Sequence, residues 1–217
     1  MYDVIVMGGG PCGSVAAQEI ANYSIKTLLI EKKKHVGKPV HCTGLLSKRT
    51  VETLKISQNS ILNEIKGAHI YSPDNKRITI DANQTKAYVV DRETFDKELL
   101  LKAKEKGVEV WMETKGLSVD QNTMMISRKG VKKPIKADVF IGAYGAKYSK
   151  KNSFKNFLSP QKTLYGLQTT AFYSSNDQNF VELFLGSSYS DCFFAWAVPI
   201  DKKLAKIGLA CSNSILA

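Results

Sequence analysis

The sequence predicts an α/β protein: a Rossmann-like parallel sheet with helices, a small antiparallel meander within it, and the start of a second, antiparallel β-sheet. Three observations carry this. An apolar strand, Val4-Ile5-Val6-Met7, runs into a glycine turn and then directly into a helix, with Gly8, Gly10 and Gly13 in the G-x-G-x-x-G spacing. A second apolar strand, Thr27 to Ile30, ends in an acid, Glu31. From Leu164 onward, four alternating or aromatic-rich stretches are separated by Ser, Gly and Asp, which is strand-and-turn chemistry.

Each glycine of the turn has its own mechanical reason. The first permits the tight turn, the second lets backbone approach a pyrophosphate, and the third lets the helix lie against the strand. Pro11 suits a first helical turn, where its missing N–H is not needed. The helix N-terminus offers free N–H groups and a positive dipole end to phosphate. Glu31 stands where a carboxylate accepts hydrogen bonds from an adenosine ribose. The pattern reads as a dinucleotide site and leaves NAD and FAD both open.

Along the chain, Gly37 to Ser47 is rich in Gly, Pro and Thr and reads as a loop. Ser47 is an N-cap for a short helix through Val51 and Leu54. Ile65 to Tyr71 and Arg77 to Asp81 form a hairpin around Pro73-Asp74-Asn75. Tyr88 to Val90 is a short strand. It leads into a helix with Phe95, Leu99, Leu100 and Ala103 on one face, capped by Gly107. Val108 to Trp111 is a further parallel strand. Gly116 to Val119, Thr123 to Ser127 and Lys133 to Lys136 read as the meander, and Val139 to Gly142 returns to the parallel sheet. The polar, basic stretch Lys147 to Pro160 reads as a boundary. The expected division is therefore 1–158, with a hairpin insertion near 62–84, and 159–217. Strands in the second part are expected at Leu164 to Tyr173, Asn179 to Leu185, Cys192 to Val198 and Leu204 to Ala210.

Composition narrows the function class. No apolar run reaches the roughly 18 residues that span a bilayer, and the N-terminus enters a strand at once, so a cytoplasmic location is the expectation. Cys12, Cys42, Cys192 and Cys211 are scattered, and His35, His41 and His69 lack ligand spacing, so neither a disulfide framework nor a metal site is expected. The net charge of +11 favours anionic partners, among them an acidic membrane surface met peripherally. The Lys clusters at 32–34, 132–136 and 147–151 are not interleaved with Arg and aromatics, which argues against nucleic acid.

Four stretches together are similar to a known family. They are Gly8-Gly9-Gly10-Pro11-Cys12-Gly13-Ser14, Gly37-Lys38-Pro39-Val40-His41-Cys42-Thr43-Gly44, Asp91-Arg92-Glu93-Thr94-Phe95-Asp96 and Phe194-Ala195-Trp196-Ala197-Val198-Pro199. The chain resembles the geranylgeranyl reductase family, flavoproteins of the larger group that includes para-hydroxybenzoate hydroxylase, and within it the archaeal digeranylgeranylglycerophospholipid reductases. The Pro-Val-x-Cys and Trp-x-x-Pro stretches are the family-specific parts.

The resemblance implies FAD in a Rossmann-like FAD-binding fold. Gly8, Gly10, Cys12 and Gly13 would line the pyrophosphate, Glu31 would hold the ribose, and Cys42, Thr43 and Gly44 would serve the flavin side. Arg92 would reach the cofactor; the competing role is an ion pair with Glu93 or Asp96. Gly116 would pass over the adenine; the competing role is a turn glycine. Cys42 is the one candidate for chemistry at the flavin, against the commoner role of a small hydrophobe. Trp196 and Phe194 would wall a prenyl tunnel, against plain sheet core.

Two departures stand out. Tyr144 occupies a position where the family usually has Asp. Family members also continue well beyond residue 217, so the substrate sheet is expected to be incomplete, with weak FAD binding by this chain alone.

The implied activity is FAD-dependent reduction of geranylgeranyl double bonds in archaeal-type membrane lipid biosynthesis, with NADPH and ferredoxin both open as reductant. The alternatives are a flavin-dependent monooxygenase of the hydroxylase type and an inactive, truncated paralogue.

Overall fold

In the computed structural model, which describes residues 1–145, 164–175 and 177–212, the elements follow in chain order. They begin with β1 (Tyr2–Met7), α1 (Pro11–Ala21), β2 (Thr27–Ile30), β3 (Leu45–Ser47) and α2 (Lys48–Thr53). Next come β4 (Ile61–Ile65), β5 (Gly67–Tyr71), β6 (Arg77–Asp81), β7 (Ala87–Val90) and α3 (Arg92–Glu105). Then follow β8 (Glu109–Trp111), β9 (Thr114–Asp120), β10 (Thr123–Arg128) and β11 (Val131–Gly142). The last strands are β12 (Tyr165–Phe172), β13 (Phe180–Leu185), β14 (Phe194–Pro199) and β15 (Leu204–Cys211). The basic stretch expected as a boundary, with its Lys147-Lys150-Lys151 cluster, lies outside the described residues.

The chain divides into two units: Met1–Val40 with Glu93–Ser159, and His41–Arg92 with Pro160–Ala217. Residues 41–92, with the hairpin, fall with the second unit. The hairpin β5–β6 lies there because β5 pairs in parallel with β13, Glu182 standing opposite His69.

The first unit is a six-stranded sheet in the order β8-β2-β1-β11-β10-β9. Strands β8, β2, β1 and the second half of β11 run parallel. Strand parity sorts the side chains of β1. Val4 and Val6 face α1 and α3, packing with Ala17, Leu29, Leu100 and Ala103. Ile5 and Met7 face the other way and pack with Leu28, Ile30, Met124 and Ile126. Both faces of β1 and β2 are thus covered, which is why these strands read as unbroken apolar runs. The last stretch of the expected meander and the returning strand are one 12-residue strand, β11. It pairs antiparallel with β10 up to Lys136 and parallel with β1 from Ala137. Helix α3 ends as expected, with Gly107 at φ +87 and the Val108 N–H donating to the Ala103 carbonyl.

The second unit holds a six-stranded sheet, β12-β15-β14-β13-β5-β6, and a three-stranded sheet, β3-β7-β4. Their core joins Ile65, Val89, Val181 and Val198, with Trp196 packed against them. Ser47 caps α2 as expected, its hydroxyl accepting from the Thr50 N–H.

Leu29 is fully buried between β1 and the helices. Leu29→Ala should lower the unfolding free energy by about 2–5 kcal/mol in urea titration. A loss below about 1 kcal/mol would contradict the burial described.

Candidate functional site

The glycine turn of the first unit is built by close approaches. Gly8 has φ +113, and a Cβ there would lie 2.3 Å from the Ala143 carbonyl oxygen. Its N–H donates to the Ile30 carbonyl at 2.8 Å, tying the turn to the end of β2. At Gly13 a Cβ would lie 1.9 Å from the Gly8 carbonyl oxygen, so α1 rests against the turn with no room for any side chain. Gly10 differs. It is the extended N-cap of α1, and a Cβ there meets nothing within 4 Å. The open space is therefore at the one glycine whose backbone should meet a pyrophosphate. Pro11 occupies the first turn of the helix and Cys12, next to it, is exposed. This arrangement fits a dinucleotide phosphate: two glycines are filled by protein and the third opens outward at a helix N-terminus.

Glu31 is buried at 8% exposure, and its carboxylate is engaged by the turn itself. Oε2 accepts from the Gly9 N–H and Oε1 from the Lys33 N–H, both at 2.8 Å. Each oxygen keeps a second acceptor direction. Gly116 stands within β9, at the register shift opposite Ile126. A Cβ there would come 3.0 Å from the Met7 sulfur and 3.4 Å from that of Met124, so the space above it is filled by thioethers. Tyr144 packs against the cluster of Ile5, Met7 and Ile30.

In the second unit the structure brings together residues that lie far apart in the sequence. The Thr43 hydroxyl donates to Gln168 Oε1 at 2.5 Å, and Trp196 Nε1 donates to the same oxygen at 3.3 Å. An indole N–H can only donate, which fixes the amide oxygen as the acceptor. The loop carrying Cys42, Thr43 and Gly44 is thereby joined to the strand carrying Trp196 and Phe194. Phe194 stacks on Phe193 with centroids 4.1 Å apart and meets Trp196 edge-on at 6.1 Å. Cys42 is exposed, and its Sγ accepts from the Gly44 N–H at 3.4 Å. Gly44 has φ +78; a Cβ there would lie 2.5 Å from the Val90 carbonyl oxygen and 3.4 Å from Arg92 Cγ. Arg92 is thus a neighbour of the loop, and Glu93 pairs with Lys38 at 2.8 Å.

Two residues of this site escaped the sequence reading, Gln168 and Lys206. Lys206 is buried at 7% exposure, and its ammonium donates to the carbonyls of Thr43 at 2.7 Å and Val90 at 3.3 Å. Burial holds its pKa below the usual lysine range, with Cys42 and Asp91 acting in the opposite sense. A signal was present: a lone Lys inside the otherwise apolar strand Leu204–Cys211. Among the described residues, no group of three or more His, Cys, Asp or Glu could hold a metal ion.

Glu31→Gln places an amide where the carboxylate now accepts two backbone N–H groups. The variant should lose about 1–3 kcal/mol of stability even with no nucleotide present, measured by thermal unfolding. Stability equal to the wild type would mean the carboxylate does not support the turn.

Comparison with known proteins agrees with this geometry. A family model described as "FAD binding domain" matches residues 1–182. A digeranylgeranylglycerophospholipid reductase of Thermoplasma acidophilum is 32% identical over 225 residues, covering 97% of this chain and 57% of the relative. Its counterpart in Methanothrix thermoacetophila is 30% identical, covering 98% and 57%. A solved geranylgeranyl bacteriochlorophyll reductase-like protein from Thermoplasma acidophilum superposes with a TM-score of 0.85 at 31% identity, over 97% of this chain and 56% of that one. A myxobacterial chondrochloren halogenase, at 19% identity and a TM-score of 0.77, shares the fold. The chain spans a little over half the length of the curated relatives it matches. The glycine turn, the acid at the end of β2 and the match over residues 1–182 make the chain a member of the FAD binding domain family, with FAD as its cofactor.

Proposed function

We propose that the protein is an FAD-dependent oxidoreductase that reduces the double bonds of geranylgeranyl chains on an archaeal-type glycerophospholipid. The observation that carries this reading is Gln168, whose one oxygen joins the Pro-Val-x-Cys loop to the Trp-x-x-Pro strand through Thr43 and Trp196. The reductases named above support it by their similarity over nearly the whole chain.

In this reading the turn of Gly8, Gly10, Cys12 and Gly13 lines the pyrophosphate, with Gly8 and Gly13 shaping the turn and Gly10 open toward the phosphate. The Gly10 backbone and the start of α1 supply donors and the positive end of the helix dipole. Glu31 keeps the turn in shape and offers its remaining acceptor directions to the ribose. The Gly116 backbone faces the adenine. Cys42, Thr43, Gly44 and Arg92 serve the flavin side. Phe194 and Trp196 present an apolar wall to the prenyl chain, excluding water from the double bond. When bound, FAD in its reduced form supplies a hydride to one carbon of the double bond while a proton reaches the other. The protein's share is binding, orientation and a dry surround.

The excess of Lys and Arg, 31 against 20 Asp and Glu, suits a surface that approaches anionic headgroups. The proposed contact is peripheral; among the described residues no helix is long and apolar enough to cross a membrane.

The test is spectroscopic. The purified chain titrated with FAD should show flavin fluorescence quenching on binding. Gly10→Val should weaken that binding by at least about 1.5–3 kcal/mol, because a side chain displaces phosphate from charged hydrogen bonds. Equal affinity in both forms would remove the turn from the cofactor site. A second measurement concerns the surface: association with vesicles should require acidic lipid and should fall as salt rises. Equal association with neutral vesicles would refute an electrostatic contact.

A further inference from the structure

A lysine buried to 7% exposure within a sheet needs a reason. Lys206 lies in β15 at a position whose parity points it, with Gly208, toward the same face as Gln168 and Trp196. Its ammonium reaches two carbonyls from separate segments, Thr43 in the loop before β3 and Val90 at the end of β7. These segments also meet through the Val90 N–H, which donates to the Gly44 carbonyl at 2.9 Å. The space is tight. A Cβ on Gly44 would stand 3.2 Å from Lys206 Nζ. The charged and titratable groups that act on the ammonium are Cys42 and Asp91, which favour its charge, and Arg92, which opposes it. Its uncharged cross-strand neighbours are Thr170 and Val198, and Gln168 and Trp196 follow on the same face opposite Gly208.

We propose that Lys206 is a positioning residue: its buried ammonium clamps the Cys42–Gly44 loop to the end of β7 and so fixes where Cys42 and Thr43 stand. The clamp itself rests on the hydrogen bonds. That it serves a flavin rests on the proposed function.

The energetics separate positioning from plain support of the fold. Burial lowers the pKa of Lys206, so folding disfavours its charged form. The charge therefore costs stability at neutral pH, and that cost is relieved as pH rises through the lowered pKa. An apolar replacement relieves that desolvation cost but leaves the Thr43 and Val90 carbonyls one donor short, so the two effects oppose and the unfolding midpoint should change little. What it removes is the tie between the loop and β7.

The experiment uses Lys206→Met, with Lys206→Gln as a second variant, in the full chain without FAD. Amide hydrogen exchange is followed at Gly44 and Val90 beside thermal unfolding. Exchange at these two amides should rise about tenfold or more, while the core of β13 to β15 keeps its protection and the unfolding midpoint changes little. In the wild type, exchange at the two amides, corrected for its intrinsic pH dependence, should quicken as Lys206 loses its proton. Neither variant should show that step. Unchanged exchange in both variants would overturn the proposal. So would a lowered midpoint with exchange raised throughout both sheets, or failure of both variants to fold, because each would make Lys206 a support of the fold. A parallel FAD titration should show about tenfold weaker binding in Lys206→Met if the loop serves the flavin. Wild-type FAD affinity in a variant with a loosened loop would refute the flavin role and leave the clamp standing.

Discussion

The first unit depends on how closely helix α1 approaches the carbonyl of Gly8. With 1.9 Å between that oxygen and any Cβ at Gly13, the helix axis lies nearer to the turn than any other residue would permit. The approach lets α1 begin two residues after Gly9 and leaves Gly10 as an uncovered N-cap. It also creates a debt in hydrogen bonding. A turn this tight leaves the Gly9 N–H buried without a strand or helix partner, and such a group costs about 1–3 kcal/mol if unpaired. Glu31 answers it with Oε2. The acid at the end of β2 is thus a part of the turn before any ribose arrives.

Much of this was legible in the sequence because the signals are local. The apolar runs of β1 and β2, the cap at Ser47, the αL glycine at 107 and the turn at Pro73 to Asn75 each act within a few residues. What escaped was pairing over distance. The β5–β6 hairpin could be drawn from its turn, but its sheet could not, because β5 meets β13 more than a hundred residues later. Strand β11 reads in the sequence as two pieces, Lys133 to Lys136 and Val139 to Gly142, because its partner changes between them from β10 to β1. In the structure Pro134 pairs only with Met125 of β10, in the stretch before β1 joins at Ala137. A proline there forfeits no ladder bond on that side.

The same reasoning explains the site. The loop at Cys42 to Gly44 and the strand at Trp196 were visible as motifs, each near its own neighbours. Their junction was not, because Gln168 and Lys206 reach residues 125 and 163 positions away. A glutamine in a strand and a lysine in a basic protein are unremarkable in a list of residues. They acquire meaning only when parity and register put them on one face.

Register therefore carries more of the second unit than any single contact does. Lys206 and Glu182 are both buried charges in the same sheet, and they lie on opposite faces. Glu182 stands across from Ala197, and Ala197 from Ile207, while Leu183, Trp196 and Gly208 form the neighbouring row. On its face Glu182 accepts from the Tyr173 hydroxyl, which raises the tyrosine pKa through burial and the carboxylate's hydrogen bond. A slip of one residue would turn every side chain of a strand to the other face. It would carry Lys206 away from the carbonyls of Thr43 and Val90. The slip is blocked by volume. A Cβ at Gly208 would lie 2.6 Å from the Trp196 ring, and one at Gly67 2.4 Å from the Phe180 ring. Each aromatic ring lies over a glycine of the adjoining strand, and only the observed register supplies a glycine beneath it. The glycines of this sheet, unlike Gly10 of the turn, hold the chain in place by leaving room for protein.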